Sequence, residues 1–281
     1  MTQRQTLSYR ELKEIAREVR IDIIRMLAEA GSGHPGGSLS AVEIVVSLFY
    51  QIMRHDPKRP DWPHRDRFVL SKGHACPVLY ATLARLGYFP REELMTLRKL
   101  GSRLQGHPDP AALPFLEAAT GALGQGLSVA IGMALASKLE KNAWHTYCLM
   151  GDGETQEGQV WEAAMSAPKF KLDNLTAIID YNKGQIDGHT WEVMDLEPIA
   201  DKWRAFNWKV LTIDGHDFQK VIAAFKEART IKERPTMIIA HTVKGKGVSF
   251  MENVIAWHGK APSKEEAEKA IQELKDQKEE G

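Results

Sequence analysis

The stretch Thr146-Tyr-Cys-Leu-Met-Gly-Asp-Gly-Glu-Thr-Gln-Glu-Gly158 decides how the rest of the sequence is interpreted. Its opening residues, 146–150, predict a short buried strand, and residues 157–167 predict the helix that follows. A strand that passes through a glycine-rich turn into a helix is a building unit of parallel sheets. The glycines in this turn would let backbone amides approach a phosphate at the positive end of the helix.

The same strand-and-helix pattern continues toward the C-terminus. A strand over 175–180 precedes a helix over 198–206, and a strand over 210–213 precedes a helix over 218–228. Residues 236–240 add one more strand. Short apolar strands that alternate with helices indicate an α/β fold whose mostly parallel sheet is flanked by helices on both faces. Sheets of this kind place their ligand sites at the carboxyl ends of the strands.

The N-terminal part supplies further helices and one strand. Apolar residues at helical spacing predict a helix over 8–30, which ends at a glycine-rich run. Ser38 is predicted to cap a second helix that extends to about Met53. A strand over 67–70 and a small-residue helix over 121–138 complete the expected elements.

Composition excludes several classes of function. The chain has 281 residues with 37 Lys plus Arg and 37 Asp plus Glu, so its net charge is +0. This balance, with no basic stripe, argues against a nucleic-acid or anionic-membrane partner. The longest apolar stretch, 41–50, is too short to span a bilayer, and the first residues lack the apolar core of a signal peptide. With only Cys76 and Cys148 present, we expect a reducing, cytoplasmic location.

The chain is expected to form one main domain with an appended helix. We place the domain at residues 1–260 and a C-terminal helix with a charged tail at 261–281. Ser263 and Glu266 have the spacing of a capping box, which predicts where that helix begins. The helix carries a narrow apolar stripe made of Ala267, Ala270, Ile271 and Leu274.

An acidic side chain lies in the glycine-rich turn where a bound diphosphate would sit. A dinucleotide-binding fingerprint needs a third glycine at the position of Gln156, so that interpretation fails. Asp152 and a diphosphate could share the turn only through a divalent cation between them. Asn182 follows the next strand, 182 − 152 = 30 residues later, and would bring an amide oxygen to the same point, with a backbone carbonyl nearby. An ordinary acidic turn is the alternative, and the paired asparagine favours the metal site.

Gly151-Asp-Gly153 followed by Asn182 resembles the cofactor-binding motif of thiamine diphosphate enzymes. The resemblance implies a Mg²⁺ ion, for which Ca²⁺ or Mn²⁺ could substitute, held by Asp152, Asn182 and the carbonyl of Gly184. It also implies that the amide of Gly153 contacts the diphosphate of the cofactor, thiamine diphosphate.

Three of the 10 histidines stand in tight, glycine-containing turns. His34 lies in Gly-His-Pro-Gly, His74 in Ser-Lys-Gly-His-Ala and His107 in Gln-Gly-His-Pro. Such turns expose and fix the ring, and imidazoles can hydrogen-bond sugar hydroxyls and transfer protons near neutral pH. The loop histidines that we treat as solvated, without a catalytic role, are His55, His64, His145, His189, His216 and His241.

Together with Thr120-Gly-Ala-Leu-Gly-Gln-Gly126 and Trp257-His-Gly259, these segments resemble the N-terminal, diphosphate-binding half of transketolase, in the same order over about residues 10–260. The positions that the resemblance assigns to cofactor binding are His74, Gly121, Ala122, Leu123, Gly153, Asn182, Ile186 and His258. The positions that it assigns to catalysis are His34, His74, His107, His258 and, in a proton relay across a subunit interface, Glu157. Ala122 replaces the proline of many transketolases, and a backbone contact there would be unaffected.

The resemblance also implies partners and leaves alternatives open. Transketolases need a second, pyrimidine-binding domain, so we expect a separate C-terminal transketolase subunit that carries it, with a homodimer core inside a heterotetramer. The substrates would be sugar phosphates such as those of the pentose phosphate pathway, with neither nucleic acid nor membrane as partner. The alternatives are a subunit resembling the α chain of 2-oxoacid dehydrogenases, a cofactor-binding subunit without chemistry, and a piece of a longer transketolase.

Overall fold

A computed structural model describes residues 7–277 of the chain. The first residues, on which the expected absence of a signal peptide rests, and the last four residues of the charged tail lie outside the described residues. No helix within 7–277 is both long and apolar enough to cross a membrane.

A five-stranded parallel sheet forms the centre of the fold, as predicted. Its strands are β1 (Arg67–Leu70), β2 (Thr146–Gly151), β3 (Leu175–Tyr181), β6 (Lys209–Asp214) and β7 (Thr236–His241), and a separate hairpin consists of β4 (Gly184–Gln185) and β5 (Gly188–His189). The spatial order is β1-β2-β3-β7-β6. Gly151 pairs with Asp180 in the register between β2 and β3, so these neighbouring strands end side by side.

Ten α-helices surround the sheet within the described residues. They are α1 (Tyr9–Ala30), α2 (Pro35–Ser40), α3 (Val42–Ser47), α4 (Cys76–Arg85), α5 (Gln125–Leu139), α6 (Gly158–Lys169), α7 (Thr190–Val193), α8 (Ile199–Ala205), α9 (Phe218–Ala228) and α10 (Lys264–Asp276).

Two predicted helices have different bounds in the structure. The single helix expected from Ser38 to Met53 is divided into α2, α3 and a π-helical turn, and it begins at Pro35, because proline fits the first turn of a helix and needs no amide partner there. The helix expected from Gly121 begins only at Gln125. Gly121 has a φ of 151° and Gly124 a φ of 85°, which are not helical conformations.

Alternate residues of each strand point to opposite faces of the sheet and are buried on both. Tyr147 and Leu149 of β2 pack with residues of α1, α3, α4 and α9 on one face. Cys148 and Met150 of the same strand pack with residues of α5, α6 and α8 on the other face. Burial on both faces explains why these strands are continuous apolar runs in the sequence.

The C-terminal helix α10 packs against α1 and leaves the sheet's carboxyl edge open. Its N-terminus has the predicted capping box, with the Ser263 hydroxyl accepting from the Glu266 amide and Glu266 accepting from the Ser263 amide. Ala267, Ala270 and Leu274 of the predicted stripe are buried.

Candidate functional site

A cavity of about 390 Å³ opens at the carboxyl ends of β1, β2 and β3, which is large enough for a small-molecule ligand. It lies where parallel sheets usually bind ligands. Every site residue predicted from the sequence except Ala122 lines this cavity: His34, His74, His107, Gly121, Leu123, Asp152, Gly153, Glu157, Asn182, Gly184, Ile186 and His258. The structure therefore brings together residues that are more than 200 positions apart in the chain.

The predicted metal ligands meet at one loop. Asp152 is 1% exposed, and its carboxylate accepts from the Gly153 amide at 2.8 Å and from the Lys183 amide. Asn182 donates from its amide nitrogen to Asp180, which leaves its Oδ1 facing the loop, 3.1 Å from the Gly184 amide nitrogen. The carboxylate and the amide oxygen thus converge on residues 182–184, as the crossover spacing predicts.

The donor set fits magnesium better than a transition metal. No three His, Cys, Asp or Glu side chains between residues 7 and 277 are arranged to hold a metal ion. A cation here would therefore have one carboxylate, one amide oxygen and one backbone carbonyl, with the rest supplied by water or phosphate. That combination is the usual environment of Mg²⁺ beside phosphates. Burial and the neighbouring Asp180 raise the pKa of Asp152 to about 6, so a cation would stabilise its charged form.

Two buried lysines in the cavity were missed by the sequence analysis. Lys244 is 2% exposed, and its Nζ lies 3.2 Å from the Gly184 carbonyl oxygen. Burial lowers the pKa of Lys244 to about 8. Lys72 donates to Asp180 and, at 2.8 Å, to the Gly37 carbonyl. Each lysine follows a strand of the sheet within a few residues, and this placement at the carboxyl edge was the signal that could have identified both.

Glu154 is a further missed residue, and it braces the glycine-rich turns. It is 2% exposed and accepts from the amides of Gly124 and Gly151, each at 3.0 Å, and from the Ser71 hydroxyl. These bonds join the turns before α5 and after β2. Burial raises the pKa of Glu154, but the hydrogen bonds that it accepts favour its charged form.

Three histidine rings form a cluster beside the candidate metal site. The ring centroids are 5.1 Å apart for His34 and His74, 5.6 Å for His34 and His258, and 5.1 Å for His74 and His258. Burial lowers the pKa of His34 to about 4 and that of His258 to about 3, and it holds the pKa of His74 well below its usual range. All three rings are therefore neutral at neutral pH.

Some polar atoms of this cluster have no partner within the described part of the chain. The Nδ1 atoms of His34 and His258 are buried and make no hydrogen bond there. Buried polar atoms in native proteins are nearly always paired, so these two nitrogens point to a polar ligand. Burial also lowers the pKa of His107, whose ring packs against Gly121.

Glycines keep the cavity open at two positions. A Cβ atom on Gly153 would lie 2.7 Å from the Cβ of Gln185. A Cβ on Gly121 would lie 3.0 Å from Cδ2 of His107, and its φ of 151° disfavours a side chain as well. Both positions therefore require glycine for the backbone to pass this close to the cavity.

The remaining predicted residues lie on the open side of the cavity. Ile186 is 67% exposed, and Glu157 is exposed at the N-terminus of α6. Ala122 is exposed and does not line the cavity. A single chain therefore leaves these three positions without the surroundings that a protein partner would provide.

The prediction that the other loop histidines are solvated is wrong for His55 and His145. Each is less than 10% exposed, because it satisfies a buried polar group: the Phe49 carbonyl at 2.7 Å from His55 and the Thr176 hydroxyl at 2.8 Å from His145. His216 is half-buried and hydrogen-bonded on both ring nitrogens. His64 and His241 are exposed, and His189 is half-buried and stacks on Trp191.

The family model described as "Transketolase, thiamine diphosphate binding domain" matches residues 11–279. The protein named 6-deoxy-6-sulfo-D-fructose transketolase subunit SqwG, from Clostridium sp. (strain MSTE9), is 46% identical over 94% of this chain and 96% of its own length. The chain belongs to the transketolase family. A second relative of this transketolase-family chain, an apulose-4-phosphate transketolase subunit of Phocaeicola vulgatus, is 46% identical over 90% of this chain and 89% of its own length.

Solved transketolases share the fold of this transketolase-family chain. The Campylobacter jejuni enzyme superposes with a TM-score of 0.90 at 35% identity, over 96% of this chain and 43% of its own. The human transketolase is 46% identical over 94% of this chain and 42% of its own length. The chain thus spans less than half of these longer transketolases. The matches favour transketolase over the 2-oxoacid dehydrogenase alternative.

Proposed function

We propose that this chain is the N-terminal subunit of a two-chain transketolase. It would bind thiamine diphosphate and Mg²⁺ and, with a separate C-terminal subunit, transfer a two-carbon ketol unit from a ketose phosphate to an aldose phosphate. The observation that carries the proposal is the cavity in which Asp152 and Asn182 meet the histidine cluster. Two relatives named as transketolase subunits, matched over 96% and 89% of their own lengths, support the two-chain arrangement.

The charges around the cavity support a cofactor that carries a diphosphate and a metal. The buried charged groups that line or adjoin the cavity are Lys72, Lys244, Asp152 and Asp180, whose charges at neutral pH sum to zero. A diphosphate would add negative charge beside Asp152, so a divalent cation between the two anions is needed. In the proposal, Asp152, Asn182 and the Gly184 carbonyl hold Mg²⁺, for which Ca²⁺ or Mn²⁺ could substitute.

Backbone and lysine groups would bind the cofactor's anionic end. The Gly153 amide would contact the diphosphate, and the Lys244 ammonium, 3.2 Å from the Gly184 carbonyl oxygen, is close enough to the metal loop to neutralise a phosphate there. Gly121, Ala122 and Leu123 would contribute their backbone to the same cofactor. Ile186 would pack against its thiazolium ring.

The histidines would orient the cofactor and the sugar. Bound thiamine diphosphate supplies a carbon nucleophile and an electron sink, and the protein supplies position and proton transfer. His74 and His258 would contact the cofactor, whereas His34, His107 and His258 would face the transferred unit and the sugar carbonyl. Because burial keeps these rings neutral, each can donate from one nitrogen and accept at the other. The unpartnered Nδ1 atoms of His34 and His258 are available for such contacts.

Partner chains would cover the open side of the cavity. The exposed apolar residues there and on the following segment are Ile186, Trp191, Val193 and Met194. Apolar side chains grouped in this way commonly mark an interaction surface. We propose that a second copy of the chain and a C-terminal subunit carrying the pyrimidine-binding domain complete a heterotetramer, in which Glu157 belongs to a proton relay between subunits.

Several broader features belong to the same proposal. We place the cofactor-binding domain at 1–260 and the appended helix and tail at 261–281. A cytoplasmic location is supported by the two cysteines, Cys76 and Cys148, both of which are free and buried. The pentose phosphate pathway is one setting for such an enzyme, and a cofactor-binding subunit without chemistry is the alternative that the experiment below would reveal.

Reconstitution with a partner tests the proposal. The purified chain is mixed with a transketolase C-terminal subunit, thiamine diphosphate and Mg²⁺, and ketol transfer is measured for a panel of donors. The panel contains xylulose 5-phosphate, and also 6-deoxy-6-sulfo-D-fructose and apulose 4-phosphate, the sugars in the names of the two relatives. We expect turnover only when both chains are present. Appreciable turnover by the isolated chain would contradict the two-chain arrangement, and cofactor binding without turnover of any donor would favour the non-catalytic alternative.

A further inference from the structure

The buried lysine of the cavity, Lys244, lies in a loop without regular secondary structure. This loop, residues 242–247, follows β7 and contains two glycines with left-handed backbone, Gly245 at a φ of 78° and Gly247 at a φ of 95°. Side-chain hydrogen bonds must therefore fix a loop that no ladder of backbone hydrogen bonds holds. Those that flank Lys244 come from a group of residues outside the cavity.

His216 contacts the residue that precedes Lys244. Its Nε2 accepts from the Val243 amide at 2.8 Å. An amide can only donate, so in the neutral ring the proton resides on Nδ1. That nitrogen lies 2.9 Å from Oε2 of Glu43 in α3 and donates to it. His216 therefore joins the loop to α3 through both ring nitrogens.

Arg20 completes the network and contacts the loop on the other side of Lys244. Its guanidinium pairs with Glu43, with nitrogen–oxygen distances of 2.7 and 2.8 Å, and its Nε donates to the Lys246 carbonyl at 2.9 Å. Arg20 and Glu43 are each 6% exposed. The Arg20–Glu43–His216 network thus binds the loop at Val243 and at Lys246 and leaves the Lys244 side chain directed into the cavity.

We propose that His216 is a positioning residue for Lys244: through the Arg20–Glu43–His216 network it holds the 242–247 loop so that the lysine ammonium meets the anionic end of the bound ligand. This inference rests on the proposed function, because the ligand is the diphosphate of the cofactor. His216 does not line the cavity and acts only through Lys244. The chemistry that it serves is phosphate recognition by a buried ammonium.

A matched pair of substitutions separates positioning from general packing. Glutamine at 216 reaches about as far as Nε2 and can accept from the Val243 amide, whereas asparagine reaches only as far as Nδ1 and cannot. We expect His216→Asn to weaken thiamine diphosphate binding about 10-fold, as loss of a supporting hydrogen bond commonly does. His216→Gln should stay within about 3-fold of the unsubstituted chain, since a neutral acceptor is retained. His64→Asn, at an exposed histidine, is the control for the substitution itself.

The binding test uses isothermal titration of the full chain in excess Mg²⁺ with thiamine diphosphate and, separately, inorganic pyrophosphate. Both probes should lose the same factor in His216→Asn, because the lysine meets the anionic end that they share. Lys244→Met should weaken both about 100-fold, and adding His216→Asn to that variant should weaken them no further. Thermal unfolding without ligand shows whether each variant folds, and Arg20→Lys, which loses the contact to the Lys246 carbonyl, replaces His216→Asn if that variant does not.

The outcomes distinguish this inference from the proposed function. If the unsubstituted chain binds neither probe, the proposed function fails. If it binds both but His216→Asn binds equally well, or weakens binding as much in the Lys244→Met background as in the natural sequence, His216 does not act through Lys244. Equal losses in the glutamine and asparagine variants would also overturn the proposal.

Discussion

The buried ion pair between Lys72 and Asp180 gives the most direct stability prediction. Lys72 is 1% exposed and Asp180 is fully buried. The pair joins the segment after β1 to the end of β3, and Asp180 also accepts from Ser40 at 2.5 Å and from Thr242. Burial by itself would raise the pKa of Asp180, but the Lys72 ammonium outweighs burial and lowers it. The carboxylate therefore depends on this lysine to remain charged in the interior.

Substitution of Lys72 by methionine keeps most of the side-chain volume and removes the charge. It leaves Asp180 buried without its ammonium, and breaking a buried pair in this way costs about 3–5 kcal/mol. For a domain of this size, that loss corresponds to a decrease of roughly 10 °C in the melting temperature. The double variant Lys72→Met/Asp180→Asn removes both charges, so it should lose about 2 kcal/mol less than the sum of the two single variants.

Urea unfolding followed by far-ultraviolet circular dichroism measures these free energies. Lys171→Met is the matched control, since its partner Glu233 is as exposed as Lys171 itself, and we expect no change in the unfolding midpoint. The reasoning is refuted if Lys72→Met unfolds at the same urea concentration as the natural chain. It is also refuted if the double variant is as unstable as the sum of the single ones.

Three further predictions concern the cavity and the interior. His107→Ala should lower turnover of the reconstituted enzyme by about 100-fold while thiamine diphosphate affinity measured by titration stays the same, because its role is toward the sugar; equal losses in both would assign it to the cofactor. Gly153→Ala should weaken cofactor binding about 10-fold, since its Cβ would lie 2.7 Å from that of Gln185 and displace the loop; unchanged affinity in the same titration would show that the loop can move at no cost. Burial lowers the pKa of His145 to about 3, so the unfolded chain takes up a proton below its ordinary value and the folded chain does not. Stability should therefore fall as pH decreases from about 6.5, by about 2 kcal/mol at about pH 5 from this residue alone, and His145→Gln should lose that much less in urea unfolding at the two pH values, with parallel losses speaking against it.

Much of the sheet and of the candidate metal site followed from local patterns. Strand and helix periodicity predicted the parallel sheet, and the spacing between Asp152 and Asn182 placed their side chains on neighbouring strands. Both predictions depend on short segments whose chemistry is unusual for a turn. The break of the predicted helix after Ser38 was not predicted, because Pro35 starts an earlier helix and the apolar run continues through the interruption.

Long-range pairing could not be predicted from the sequence. The order of β3, β7 and β6 depends on how the helices pack, and no local signal places β7 beside β3. Lysines are usually solvated, so only the tertiary structure shows that Lys244 is buried in the cavity. Likewise, His145 is indistinguishable in sequence from a solvated loop histidine, and its burial follows from its pairing with Thr176 on the adjacent strand.

Metal-dependent binding of thiamine diphosphate tests the central claim most directly. The full chain is titrated with the cofactor in excess Mg²⁺ and again in excess chelator, and Asp152→Ala is treated in the same way. The account predicts saturable binding that requires Mg²⁺ in the natural chain, and a loss of about 100-fold in Asp152→Ala, because the substitution removes the only carboxylate among the metal ligands. Binding of equal strength in the presence of chelator, or by Asp152→Ala, would contradict a metal-held diphosphate at this site.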